Sequence, residues 1–175
     1  MGFKVATGVK RYGFASLRRL KTPAEFSALL RAPRDRSIRA ERQMLSINAA
    51  WVRTPSRAVD GRNAGSVRFG VTVGKRNARR SVDRVLVKRI VREACRHRAA
   101  AFEDCAAQAS AQIDIALRLK TPLVDMRSQP LAMRQWRRQV RADADSLLQE
   151  VLTRLAARLT TGSTTMDPTT TGPSN

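Results

Sequence analysis

Between Arg68 and Arg98 the chain reads RFGVTVGKRNARRSVDRVLVKRIVREACRHR, a strand pattern, a basic turn and an amphipathic helix in one uninterrupted run. Val67, Phe69, Val71 and Val73 alternate with Ser66, Arg68, Gly70 and Thr72. That two-residue period predicts a strand with one face buried and the other small and polar enough to be open. Past the turn, Val82, Leu86, Val87, Ile90, Val91 and Ala94 recur at helical spacing, so the helix can bury one side on a sheet while presenting the other. The same 31 residues hold eleven Lys and Arg against only Asp83 and Glu93. An excess so local points to a polyanionic partner.

The whole chain shares this bias. Its 34 basic and 14 acidic residues give a net charge of +20 and a sequence pI near 11.8 over 175 residues. Such a balance speaks of partners, and nucleic acid leads, because each phosphate neutralised by Lys or Arg releases condensed counterions. No run approaches the roughly 18 apolar residues of a spanning helix, so no membrane role is expected. The first 24 residues carry six basic residues and no acid, a superficial likeness to a transit peptide. Cys95, Cys105 and His97 fall short of the four ligands of a structural zinc site. With no disulfide framework either, two buried or half-buried thiols in a reducing cytoplasm are expected.

The length suits one core with appendages. Residues 1–20 read as a basic flexible arm, 21–159 as the folded domain and 160–175 as a disordered Thr-rich tail. Thr22 at an N-cap, Pro23 at the first helical position and Glu25 three residues after the cap form a capping box, with Phe26, Leu29 and Leu30 as the apolar stripe. Pro33 ends that helix. Residues 34–42 predict a charged loop with room for a short edge strand. Leu45, Ile47, Ala49 and Trp51 alternate as a strand, residues 53–65 read as a hairpin-type loop, and Ile113, Ile115, Leu117 and Leu119 form a further strand after an Ala-rich stretch at 99–111. Pro130 opens a last helix with apolar positions from Met133 to Leu159. The class is α+β: a small mixed sheet, an N-terminal helix, a central basic helix and a long C-terminal helix.

At about 100° per residue, Arg84, Lys88, Arg89, Arg92 and Arg96 fall within an arc of roughly 140° on the central helix. A run of charge on an isolated helix is ordinarily a solvated face. Here, however, Arg84, Lys88, Arg92 and Arg96 set like charges at the i, i+4 steps where they repel. Lys75, Arg76, Arg79 and Arg80 continue the patch over the helix start, where cations oppose the macrodipole. Together with Arg68, these are the candidate phosphate ligands.

The segment VTVGKRNARRSVDRVLVKRIVRE, Val71 to Glu93, resembles the protein subunit of bacterial ribonuclease P, with its strand, basic turn and helix bearing an Arg-Asn-Arg signature followed by Lys-Arg and a final Arg. Arg84, Lys88, Arg89 and Arg92 fall on the signature's basic positions, whereas Val85 and Leu86 replace its Asn and second Arg. Leu86 lies on the apolar arc, but Val85 falls in the cationic arc, where an Asn could bond RNA and a Val cannot. The likeness extends more weakly from RLKTPAEFSALL through IDIALRLK to the last helix. It implies an N-terminal helix lying across the sheet and a left-handed crossover through the central helix. It also implies a cleft for the five-prime leader of precursor tRNA, with Phe26 matching the cleft aromatic, Leu30 and Ile47 at further cleft positions, and Val71 and Val73 lining or underlying the floor.

No paired carboxylates, nucleophile motif or metal cluster suggest a protein active site, and His97 inside CRHR reads as a surface residue. The expectation is an accessory subunit of a ribonucleoprotein endoribonuclease that binds the catalytic RNA and precursor tRNA, with hydrolysis and its Mg2+ ions left to the RNA subunit. The alternative is a non-enzymatic RNA-binding or ribosome-associated protein of the same small fold.

Overall fold

The computed structural model describes residues 18–53, 65–123 and 130–161. In chain order these form α1 (Pro23–Arg31), a 3-10 turn (Arg34–Arg36), β1 (Ser37–Glu41), β2 (Leu45–Arg53), β3 (Val67–Thr72), α2 (Ser81–Gln108), β4 (Ala111–Leu119) and α3 (Pro130–Thr161). Residues 1–17, most of the hairpin-type loop at 53–65 and the tail beyond Thr161 lie outside the described residues. The sheet order is β1-β2-β4-β3; β1, β2 and β4 pair antiparallel in turn, while β3 runs parallel to β4, so α2 is the crossover between two parallel neighbours.

The capping box of α1 forms as its three residues dictate: Thr22 Oγ1 accepts from the Glu25 N–H at 3.3 Å, and Glu25 Oε2 accepts from the Thr22 N–H at 2.8 Å. One face of the sheet carries Leu45, Ile47, Ala49, Trp51, Val67, Phe69, Ile113, Ile115, Leu117 and Leu119, all buried under α2 and α3. From α2, Val87, Val91, Ala94, Cys95, Ala99, Phe102 and Ala106 enter this core, and Phe102 meets Phe69 edge-to-face at 5.8 Å. α3 adds Trp136, Val140, Ala144, Leu147, Leu148, Val151, Leu155 and Leu159. Its buried Asp143 accepts from the Met44 N–H at 2.6 Å and from Gln139 Nε2 at 2.7 Å, so the polar group beneath α3 is satisfied.

Several expectations change. α2 does not stop before the Ala-rich stretch but runs on to Gln108, because Ala is the best helix former and Ala99, Phe102 and Ala106 continue the buried stripe. Val82, placed on the apolar arc, is 63% exposed, and the buried stripe of α2 begins only at Val87. Leu30 is likewise exposed, at 50%, leaving Phe26 and Leu29 to anchor α1. The second face of β3 is closed over its first two inward rows and open only at Thr72. Arg68 and Gly70 are both buried, because α1 lies over them.

Candidate nucleic-acid interface

The basic turn between β3 and α2 is pinned from below. The N–H groups of Asn77 and Ala78 both donate to the Gly74 carbonyl at 3.0 Å, Asn77 Nδ2 donates to the Leu119 carbonyl at 2.5 Å, and Ala78 is buried in the core. Buried Asn77, which sequence reasoning passed over, thus ties the turn to the end of β4 and leaves Lys75, Arg76 and Arg79 exposed. An Asn flanked by cations in a turn was the available signal, since its amide can replace missing backbone partners. Arg84 reaches back from α2, its Nη1 donating to the carbonyls of Ala78 and Arg79 at 3.0 and 2.7 Å. The guanidinium carries five N–H donors, so this lock leaves others for a ligand.

Beyond the lock, Lys88 is half-buried and Arg89, Arg92 and Arg96 are exposed. Arg96 pairs with Glu93 at 2.7 Å, and no carboxylate among the described residues is recorded within ion-pair distance of Lys88, Arg89 or Arg92. The array is therefore largely uncompensated, while the opposite side of α2 is fixed in the core. Val85 stands 65% exposed in its midst, where the sequence places it.

Arg68 has a different task. Its Nε and Nη2 make a bidentate bond to Asp114 at 2.7 and 2.6 Å, and Nη1 pairs with Glu25 Oε1. Only 8% exposed, it is a structural cation joining β3, β4 and α1 and does not belong with the RNA-facing residues. The backbone N–H groups of Thr22 and Lys21, with a further contribution from Arg68, hold the Glu25 carboxyl down from 4.5 to about 2. A depressed folded-state carboxylate contributes stability above its unfolded value and loses it as pH falls through the folded one. Thermal stability is therefore expected to drop between about pH 4.5 and 2 by more in the native chain than in Glu25→Gln, as read by melting temperature against pH. Equal acid slopes in the two proteins would refute the clamp.

The residues expected to form a leader cleft do not come together. Ile47, 1% exposed, faces the α2–α3 core, and half-buried Val71 and Val73 pack against that same core, so Ile47 cannot line a cleft on the α1 side and the two valines at most underlie one. Alternation shows which residues share a face but not which face α1 covers. On the α1 side, the register aligns Ser37, Ala50, Asp114 and Arg68 in one row, Arg39, Asn48, Ala116 and Gly70 in the next, and Glu41, Ser46, Arg118 and Thr72 in the third. α1 crosses the first two rows. Phe26 lies so close to Gly70 that a Cβ there would sit 2.5 Å from its ring, and Arg39 Nη2 donates to the Leu30 carbonyl at 2.6 Å. The third row stays uncovered beside α1, with Arg118 exposed and Ser46 and Thr72 half-buried, and it leads along β3 toward the basic turn. This shelf, with half-buried Phe26 and exposed Leu30 at its margin, is the surface available to an extended strand.

A family model for ribonuclease P matches residues 14–140, well over half of the chain, spanning α1, the whole sheet, the basic turn and α2. The chain belongs to the ribonuclease P family. No match is found among curated proteins. As a ribonuclease P protein it is a component of an endoribonuclease complex that works in tRNA processing, with RNA as its partner. The match ends within α3, so the buried positions from Ala144 to Leu159 extend the core past the family segment. Among the described residues no three His, Cys, Asp or Glu side chains gather into a metal-sized group. Burial pushes the Cys95 thiol up to about 12 and raises that of Cys105, which suits packing and not nucleophilic chemistry. No helix among the described residues is long and apolar enough to cross a membrane.

Proposed function

We propose that this ribonuclease P protein docks on the catalytic RNA through Lys75, Arg76, Arg79, Arg80, Arg84, Lys88, Arg89, Arg92 and Arg96, and guides the five-prime leader of precursor tRNA over the shelf beside α1. The observation that carries the reading is the uncompensated array of Lys88, Arg89 and Arg92 on a helix whose other side is locked in the core. Cations held at mutually repulsive spacing on a rigid element are preorganised for phosphates, and binding relieves the repulsion. The pinned turn extends this surface, so one RNA backbone can run from Lys75 along α2.

On the shelf, Arg118 supplies a guanidinium for the leader backbone and Phe26 a ring edge, while Ser46 and Thr72 offer hydroxyls. Contacts of this kind grip a single strand without reading its sequence. The protein's part in five-prime maturation is binding and orientation; hydrolysis, with the magnesium ions, rests on the RNA subunit, and the setting is the cytoplasm.

Leader length tests the second half of the proposal. Holoenzyme affinity for precursor tRNA is expected to rise as the leader grows from one to about five nucleotides, and Arg118→Ala is expected to remove roughly 1 kcal/mol of that gain without altering affinity for mature tRNA. A leader-independent affinity, or an Arg118→Ala protein that keeps the full gain, would place the leader elsewhere.

A further inference from the structure

A groove of about 880 Å³ is lined by residues of both α2 and α3. Half-buried Leu86 and Ile90 give it an apolar side, while Arg89 from α2 and Arg137, Arg138 and Arg141 from α3 supply its cations. Its two acids are already engaged: Glu93 pairs with Arg96 at 2.7 Å, and Asp145 with Arg141 at 2.7 Å. Among the described residues no carboxylate is recorded within ion-pair distance of Arg89, Arg137 or Arg138.

α3 also repeats the charge pattern of α2. Arg134, Arg137, Arg138 and Arg141 lie three and four residues apart, so one side of the helix carries a stripe of like charges that repel one another. The guanidinium of Arg137 lies 6.0 Å from the Trp136 ring centroid, and its Nη2 donates to Met133 Sδ at 3.3 Å, two contacts that favour one orientation of its planar fork. Arg89 lines this groove and also closes the cationic arc of α2, so the two positive surfaces meet at one residue.

We infer that the α2–α3 groove is a second docking site for an RNA strand, with Arg89, Arg137 and Arg138 on its phosphates and Leu86 and Ile90 against its sugars or base faces. A nucleotide strand has both chemistries at each residue: phosphate suited to guanidinium and a flat, weakly polar body suited to aliphatic side chains. Continuity through Arg89 argues for the polyanion that covers the adjoining face of α2. The inference rests on the RNA-binding reading above only for the identity of that partner.

Two full-length variants separate the readings: Arg137→Gln/Arg138→Gln in the groove and Lys88→Gln/Arg92→Gln on α2. Arg34→Gln/Arg36→Gln, on the 3-10 turn, is a charge-matched control, and circular dichroism verifies the fold of each. Binding to a transcript of the cognate RNA subunit is followed against salt. The groove variant is expected to lower the slope of log affinity against log salt by about 1.4, the share of two phosphate contacts on a single strand, and the control by less than about a quarter of that. If the α2 variant lowers the slope and the groove variant matches the control, the groove is not an RNA site while the α2 reading stands. If only the groove variant acts, the inference holds and the α2 reading fails; if neither acts, both fail. An unchanged RNA slope combined with lost binding of a polyglutamate peptide would give the groove to an acidic polypeptide and overturn the inference.

Discussion

Ending the chain after Val140 is expected to abolish cooperative folding, although residues 14–140 contain the entire family segment. The deletion removes Leu147, Leu148, Val151, Leu155 and Leu159, of which the first four are 0% exposed. At about 1.5–3 kcal/mol for each large apolar side chain buried, the loss is roughly 8–15 kcal/mol, as large as the whole stability of an ordinary domain. Polar ties go with it. Asp143 no longer accepts from the Met44 N–H, and Arg158 Nη1 no longer donates to the Arg34 and Ser37 carbonyls at 3.1 and 2.8 Å while its guanidinium lies 5.9 Å from the Trp51 ring centroid. Thermal denaturation followed by near-ultraviolet circular dichroism checks the expectation: the native chain melts in one sigmoidal step and the shortened chain shows none. A shortened chain that melts sigmoidally within a few degrees of the native one would show that α3 past Val140 is dispensable to the core.

Replacing Lys88, Arg89 and Arg92 together by Gln is expected to weaken binding of the cognate RNA subunit roughly a hundredfold at about 0.15 M salt, and to reduce the salt slope by about 2.7. Both figures follow from three phosphate contacts at about 0.9 each, summed over the interval from 1 M salt, where the electrostatic contribution vanishes. Stability should hardly move. Arg89 and Arg92 are exposed, none of the three has a recorded carboxylate partner among the described residues, and removing like charges at i, i+4 relieves repulsion. Loss of affinity with an unchanged or slightly raised melting temperature is thus the signature of an interface. Unchanged affinity and slope would mean that this face of α2 meets only solvent.

What the sequence revealed depended on the range over which each interaction acts. The capping box at Thr22, Pro23 and Glu25 is complete within four residues, and strand alternation in β2, β3 and β4 follows from which side chains meet the core, so both were legible. Arg68 was not. Its carboxylate partners lie 43 and 46 residues away, and in the sequence it looks like one more cation of the basic run. Ile47 was misplaced for a related reason: the period assigns it to the buried face of β2, but only the position of α1 on the opposite face shows that a leader strand cannot reach it. The α3 arginines carry no such signal in the sequence: the apolar period of that helix marks only its core side, and the groove that Arg137, Arg138 and Arg141 line exists only with α2 across from it. Val85 was read correctly from its angle alone, and its exposure leaves an apolar residue where the surrounding surface is most charged.

The most direct test of the central claim is reconstitution. Purified protein is added to a transcript of its cognate RNA subunit at low magnesium, and five-prime processing of precursor tRNA is timed. Cations that bridge the two RNAs replace part of the screening that magnesium supplies, so the account predicts markedly faster cleavage with the protein than without it, and loss of that acceleration in the Lys88, Arg89 and Arg92 triple variant. An identical cleavage rate with and without the native protein would contradict it.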